Sequence, residues 1–230
     1  MGIDTLSKYA LHFGLGKKTG IELPSEKSGS LANKLVNGKG DALNASIGQG
    51  DYSFTPLQIA KYISSIANGG TVVQPTIIKS IMNSDGTELS KEEIKNYTNE
   101  KLGIQASNDE ITISAESIAI AKDGMRMAAS EAGGTAYSVF KKFNIEVAGK
   151  TGSAEAGKDK ANKDIVNAWF VCFAPFENPE VAVVVMIENG GHGNYAAEVS
   201  RVILTQYFGM NESTEINENT LAIPLVEQMR

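Results

Sequence analysis

The sequence holds a single cysteine, Cys172, among its 230 residues, so no disulfide can form within the chain. A lone thiol inside an apolar run reads as a small core hydrophobe. Histidine is nearly as scarce: His12 and His192 stand far apart, and no Cys/His cluster has metal-ligand spacing. No apolar run reaches the ~18 residues needed to span a bilayer. The first residues, Gly2-Ile3-Asp4-Thr5-Leu6, read as a helix start rather than a leader peptide. Basic residues do not dominate; the net charge is −6. No basic block interleaved with aromatics occurs, which argues against nucleic acid as a partner. No motif calls for a cofactor. What remains is ordinary globular composition, 42% hydrophobic and 21% charged. That suffices for one sizeable core.

The pattern of apolar residues predicts the main elements. A helix over 4–13 places Leu6, Tyr9, Ala10 and Phe13 on one face. Residues 17–43 read as a long irregular excursion, and Asn44 to Gly50 as a glycine-bearing turn. Thr55-Pro56-Leu57-Gln58 combines a hydroxyl cap, an N-terminal proline and a glutamine three residues on. The helix it starts carries Ile59, Ile63 and Ile66 inward and stops at Asn68-Gly69-Gly70. Residues 71–82 are rich in β-branched side chains and predict a strand; 87–110 read as an exposed arm. A second helix is expected over 114–132. Strands follow near 143–153, 167–175 and 180–188, the last two almost wholly apolar and so covered on both faces. A closing helix over 198–208 and a loose tail from Asn211 complete the reading.

The stretch with the most chemistry is Gly149-Lys150-Thr151-Gly152-Ser153, at the end of the apolar run Ile145, Val147, Ala148. An ammonium and a hydroxyl together on a strand edge suit one carboxylate by charge-assisted hydrogen bonds. Gly152 lets a ligand backbone lie close, and the Ser153 N–H is aimed where an oxyanion would form. A phosphate-binding loop needs a glycine five residues before Gly149, where Asn144 stands. The bland alternative is an edge strand whose Lys-Thr-Gly has no role.

Longer segments around this tripeptide resemble the transpeptidase domain of penicillin-binding proteins. Asn44-Ala-Ser-Ile-Gly-Gln-Gly-Asp-Tyr-Ser-Phe-Thr-Pro-Leu-Gln-Ile-Ala resembles the family's approach to a buried helix. Phe13-Gly-Leu-Gly-Lys-Lys-Thr-Gly-Ile-Glu-Leu-Pro resembles its stretch after the second motif. Gly133-Gly-Thr-Ala136, Val147-Ala-Gly-Lys-Thr-Gly-Ser-Ala-Glu155 and Trp169-Phe-Val-Cys-Phe-Ala-Pro175 follow in the family's order. The resemblance implies an α/β fold of the penicillin-binding and serine β-lactamase type: an antiparallel sheet with helices on its faces, incomplete on its N-terminal side. Residues 1–210 would be the C-terminal part of a transpeptidase domain, with 87–112 an exposed insertion and 211–230 a tail.

The implied activity is acyl-serine D,D-transpeptidation in peptidoglycan cross-linking, the reaction that β-lactams block. Lys150, Thr151 and Ser153 would then serve catalysis. Lys150, Thr151, Gly152, Ser153, Ala154 and Glu155 would bind a stem peptide ending in D-Ala-D-Ala, laid antiparallel along the strand. The family's nucleophile lies in Ser-x-x-Lys, followed by Ser-x-Asn. This sequence has no Ser-x-Asn, and its one Ser-x-x-Lys, Ser138 to Lys141, follows the helices and is read as a chance match entering a strand. The chain is therefore expected to supply one side of a site whose nucleophile belongs to the missing N-terminal part of the same domain. The resemblance places the parent protein at the extracytoplasmic face of a bacterial membrane. A β-lactamase or β-lactam sensor, and a non-catalytic binding module, are the alternative readings.

Overall fold

The computed structural model describes residues 2–31, 39–104 and 111–210. The predicted tail lies outside them. Three antiparallel strands form one sheet in the order β1 (Ala148–Lys158), β2 (Asp164–Ala174), β3 (Val181–Ile187). β2 is central and its residues from Phe170 to Ala174 are buried. Alternation along the strands splits the core in two. On one face Val147, Phe170, Cys172 and Val183 meet Ala196, Ala197 and Leu204 of α7 (Gly193–Tyr207), with Phe140 of α6 (Tyr137–Phe140) beside them. On the other, Ala148, Val171 and Phe173 meet Ile63, Ile66 and Ala67 of α3 (Pro56–Ala67) and Met125 of α5 (Ala115–Ser130). Each large side chain so buried contributes about 1.5–3 kcal/mol of transfer free energy. This is the expected α/β architecture.

α3 forms as its sequence dictates. The Thr55 hydroxyl accepts from the Gln58 N–H at 3.2 Å, and Gln58 Oε1 accepts from the Thr55 N–H at 2.8 Å. Gln58 is fully buried and its amide also donates to the Lys17 and Ser28 carbonyls, both at 2.7 Å. One side chain thereby caps a helix and ties down the irregular segment that precedes it. α1 (Ile3–His12) matches its expected span closely.

Several expectations are corrected. Residues 71–82 form no strand; apart from the isolated Met82–Glu88 bridge they are tied by side chains, Gln74 donating to the Gly20 carbonyl at 2.9 Å and the Glu22 carboxylate accepting from the Thr76 hydroxyl and the Ile77 N–H at 2.8 and 3.0 Å. Within the expected arm lies α4 (Lys91–Leu102), closed by a Ser90–Glu93 capping box and a left-handed Gly103; residues 105–110 lie outside the described ones. A short helix, α2 (Lys39–Ser46), spans the end of the expected excursion and the start of the glycine turn. Ser138 sits on α6, not at a strand entrance. β1 starts five residues later than expected, at Ala148, and runs on to Lys158. α7 starts at Gly193, ahead of the expected Glu198, because a Cβ at Gly193 would lie 2.8 Å from the Trp169 carbonyl oxygen and 2.9 Å from that of Gly152. Only glycine lets that helix end approach the sheet so closely.

Candidate active site

β1 is an edge strand, and the ladder fixes which of its backbone groups face outward. In an antiparallel pair the N–H and C=O of one residue point to the same side, and successive residues alternate. The Val166 carbonyl accepts from Gly191 N–H at 2.9 Å, and that of Ala174 from Glu180 N–H at 3.0 Å, both on the β3 side. Ala168 shares their parity and sits opposite Ser153. Ser153 therefore directs both its N–H and C=O off the open edge. Val147, of the same parity, agrees: its N–H and C=O meet the Ser130 hydroxyl at 3.3 and 2.8 Å. Gly149, Thr151 and Ser153 thus present their backbone groups outward.

Side chains occupy this edge as well. The Lys150 ammonium folds over to donate to the Thr151 carbonyl. Gln49 Nε2, from the glycine turn more than a hundred residues upstream, donates to the Ser153 carbonyl at 2.9 Å. The Thr151 hydroxyl donates to that of Thr135 at 3.0 Å. Thr135 is held by its neighbour Gly134, where a Cβ would lie 2.4 Å from the Met127 carbonyl oxygen at the end of α5.

The expectation that Lys150 and Thr151 stand side by side needs refinement. Thr151 and Ser153 lie opposite Phe170 and Ala168, on the α7 face. Lys150 lies opposite Val171, on the α3 and α5 face. A two-residue period allows nothing else. The two functional groups meet only at the edge, the ammonium by curling around the backbone. Gly152 and Ala154 share the Lys150 parity, and Glu155 lies exposed just before the register irregularity that ends the regular pairing.

A cleft of about 310 Å³ adjoins this strand, lined by Thr135, Thr151, Gly152, Ser153, His192 and Asn194. His192 caps α7 without a side-chain cap bond. Thr135, Gln49 and Asn194 were not singled out as site residues by sequence. The only signals for the first two are the motifs in which they sit, Gly-Gly-Thr-Ala and Gly-Gln-Gly. A larger hollow, about 530 Å³, opens among Asn68, Lys122, Glu177 and Glu180. It holds no hydroxyl or thiol that could form an ester or thioester acyl-enzyme. Burial pushes the Cys172 thiol up to about 12, despite a backbone hydrogen bond with Val183, which makes it a poor nucleophile. Ser138 is exposed on α6 and does not line the cleft.

The model of the penicillin-binding protein transpeptidase domain matches residues 1–207. The chain belongs to that family. The matched region ends with α7, the last described helix. Peptidoglycan D,D-transpeptidase MrdA of Haemophilus influenzae is 32% identical over 90% of this chain and 33% of its own length. Penicillin-binding protein 2A of Bacillus subtilis is 30% identical over 92% of the chain and 30% of its own length. The chain thus spans about a third of the curated relatives it matches. Among solved structures, Pseudomonas aeruginosa PBP2 in complex with WCK 5153 superposes with a TM-score of 0.73 at 28% identity, covering 90% of this chain and 44% of that one. Transpeptidase-family architecture accounts for the antiparallel sheet with helices on both faces.

Proposed function

We propose that this chain supplies the carboxylate-binding and oxyanion-stabilising side of a serine-type D,D-transpeptidase that cross-links peptidoglycan and is blocked by β-lactams. The observation that carries the reading is the open edge of β1, where the outward N–H and C=O of Thr151 and Ser153 lie beside the Lys150 ammonium and the Thr151 hydroxyl. An extended peptide ending in D-Ala-D-Ala pairs there as an added strand. Its terminal carboxylate meets Lys150 and Thr151. Its reacting carbonyl lies opposite Ser153, whose N–H stabilises the oxyanion as the carbonyl carbon becomes tetrahedral. Gly152 keeps the strand accessible, and Ala154 and Glu155 extend the pairing surface. The D,D-transpeptidase name of the relatives favours this substrate class. Acyl transfer also needs an attacking hydroxyl and a base, which Ser138 and Lys141 do not provide at this edge. They belong to other polypeptide of the parent protein, which we assign to the extracytoplasmic face of a bacterial membrane.

The test is a titration of the isotope-labelled chain with diacetyl-L-Lys-D-Ala-D-Ala, followed by amide resonances. The expected result is a shift of the Thr151 and Ser153 amides, and affinity about tenfold or more weaker in Lys150→Ala, in line with a lost charge-assisted hydrogen bond of ~1.5–3 kcal/mol. Undiminished binding in that variant, or shifts elsewhere only, overturns the carboxylate assignment. A fluorescent penicillin should leave the chain unlabelled on a denaturing gel; covalent label at any serine refutes the division of labour.

A further inference from the structure

The backbone of Ser153 is already partnered before any ligand arrives. Its carbonyl, directed off the open edge, accepts from Gln49 Nε2 at 2.9 Å. An antiparallel ligand strand needs the same acceptor: the residue opposite Ser153 would exchange two bonds with it, C=O to N–H and N–H to C=O. Gln49 therefore stands where the N–H of the residue bearing the reacting carbonyl must go. Its placement also permits withdrawal. Gln49 is flanked by Gly48 and Gly50, both at positive φ (79° and 93°), with open space on both. Gln49 itself is only half-buried. Such a turn swings without dislodging packed side chains.

We infer that Gln49 is a placeholder: its amide occupies the Ser153 carbonyl until a ligand offering a backbone N–H at that position displaces it. The inference rests on the reading of β1 as the ligand-pairing edge. The placeholder sets a threshold for any ligand that must use this acceptor. A ligand with the N–H replaces one hydrogen bond by another of the same kind. A ligand lacking it has no donor to put in place of the Gln49 amide and binds with the Gln49–Ser153 bond intact. It also keeps an edge carbonyl from pairing with other strands when the site is empty.

The test compares two probes on the full chain: diacetyl-L-Lys-D-Ala-D-Ala, and the matched depsipeptide in which an ester oxygen replaces the N–H of the penultimate residue. In wild type the side-chain amide resonances of Gln49 should move toward solvent values as the amide probe binds. In Gln49→Ala the amide probe should bind about fivefold tighter, the equivalent of one net hydrogen bond no longer competing. The ester probe should gain less than twofold. Gln49→Met, which keeps the length and removes the donors without adding charge, should behave like Gln49→Ala. Equal gains for both probes would make Gln49 a steric obstacle. Weaker amide binding in Gln49→Ala would make it a ligand contact. Either result overturns the placeholder role while Thr151 and Ser153 shifts still support the pairing edge. Absence of those shifts in wild type overturns the pairing edge itself, and the placeholder with it.

Discussion

Ser130 sits at the last turn of α5 and meets both backbone groups of Val147 just before β1 begins. Ser130→Ala leaves that N–H and C=O without the hydroxyl, next to a fully buried side chain. The expected cost is about 1–3 kcal/mol, read as a lower urea midpoint with an unchanged slope. Cys172 gives a second prediction. With its thiol held up to about 12 by burial, it is protonated and shielded at pH 8. A disulfide reagent should leave it unmodified in native buffer and react fully once urea unfolds the chain. Rapid native-state labelling would contradict the buried position of β2. At this scale the sequence made the right residues visible but not their directions. Lys150 and Thr151 are adjacent in the chain, yet the strand period sends them to opposite faces, and only the ladder parity reveals which backbone groups remain for a ligand. Thr135 and Gln49 reach the edge from other segments, and only the Gly-Gly-Thr-Ala and Gly-Gln-Gly motifs around them mark them.

Elements with a strong local signal were legible: α3 from its cap and apolar stripe, β2 and β3 from their continuous apolar runs. Where the reading failed, tertiary context decided. Residues 71–82 have strand propensity but, among the described residues, no neighbouring strand to pair with, and propensity for the pleated state expresses such packing. α4 carries little apolar periodicity, with only Ile94 and Thr98 buried, although its Ser90–Glu93 box and Gly103 were readable signals. The start of α7 is set by contact rather than pattern. Gly193→Ala should lower stability by about 1–3 kcal/mol, since the added Cβ meets backbone oxygens that cannot rotate away. The same change should perturb the amide shifts of Gly152 and Ser153; unaltered β1 resonances would show that the helix end does not shape the cleft. Gln58→Ala should cost about as much again. It leaves the Lys17 and Ser28 carbonyls without their buried donor and removes half of a capping box.

Across the whole molecule, burial is uneven. α7 packs Ala196, Ala197, Ser200 and Leu204 against the sheet, while Tyr195, Val199, Val202, Ile203 and Tyr207 on its other side remain exposed. Their spacing makes one continuous helical stripe. Val202 and Tyr207 keep 57% and 53% of their surface accessible. An apolar stripe of this kind, beside a strand whose outer edge is unpaired, is an association surface when nothing covers it. Relatives about three times as long contain polypeptide this chain does not. In isolation the chain is therefore expected to self-associate through α7, with a sedimentation coefficient that rises with concentration in the micromolar range. Val202→Lys combined with Ile203→Lys places two charges in the stripe without touching the packed residues. That double variant should sediment as a monomer with the same far-ultraviolet dichroism. A wild-type chain that stays monomeric, or a double variant that associates equally well, would locate the sticky surface elsewhere, with the open edge of β1 as the next place to introduce a charge.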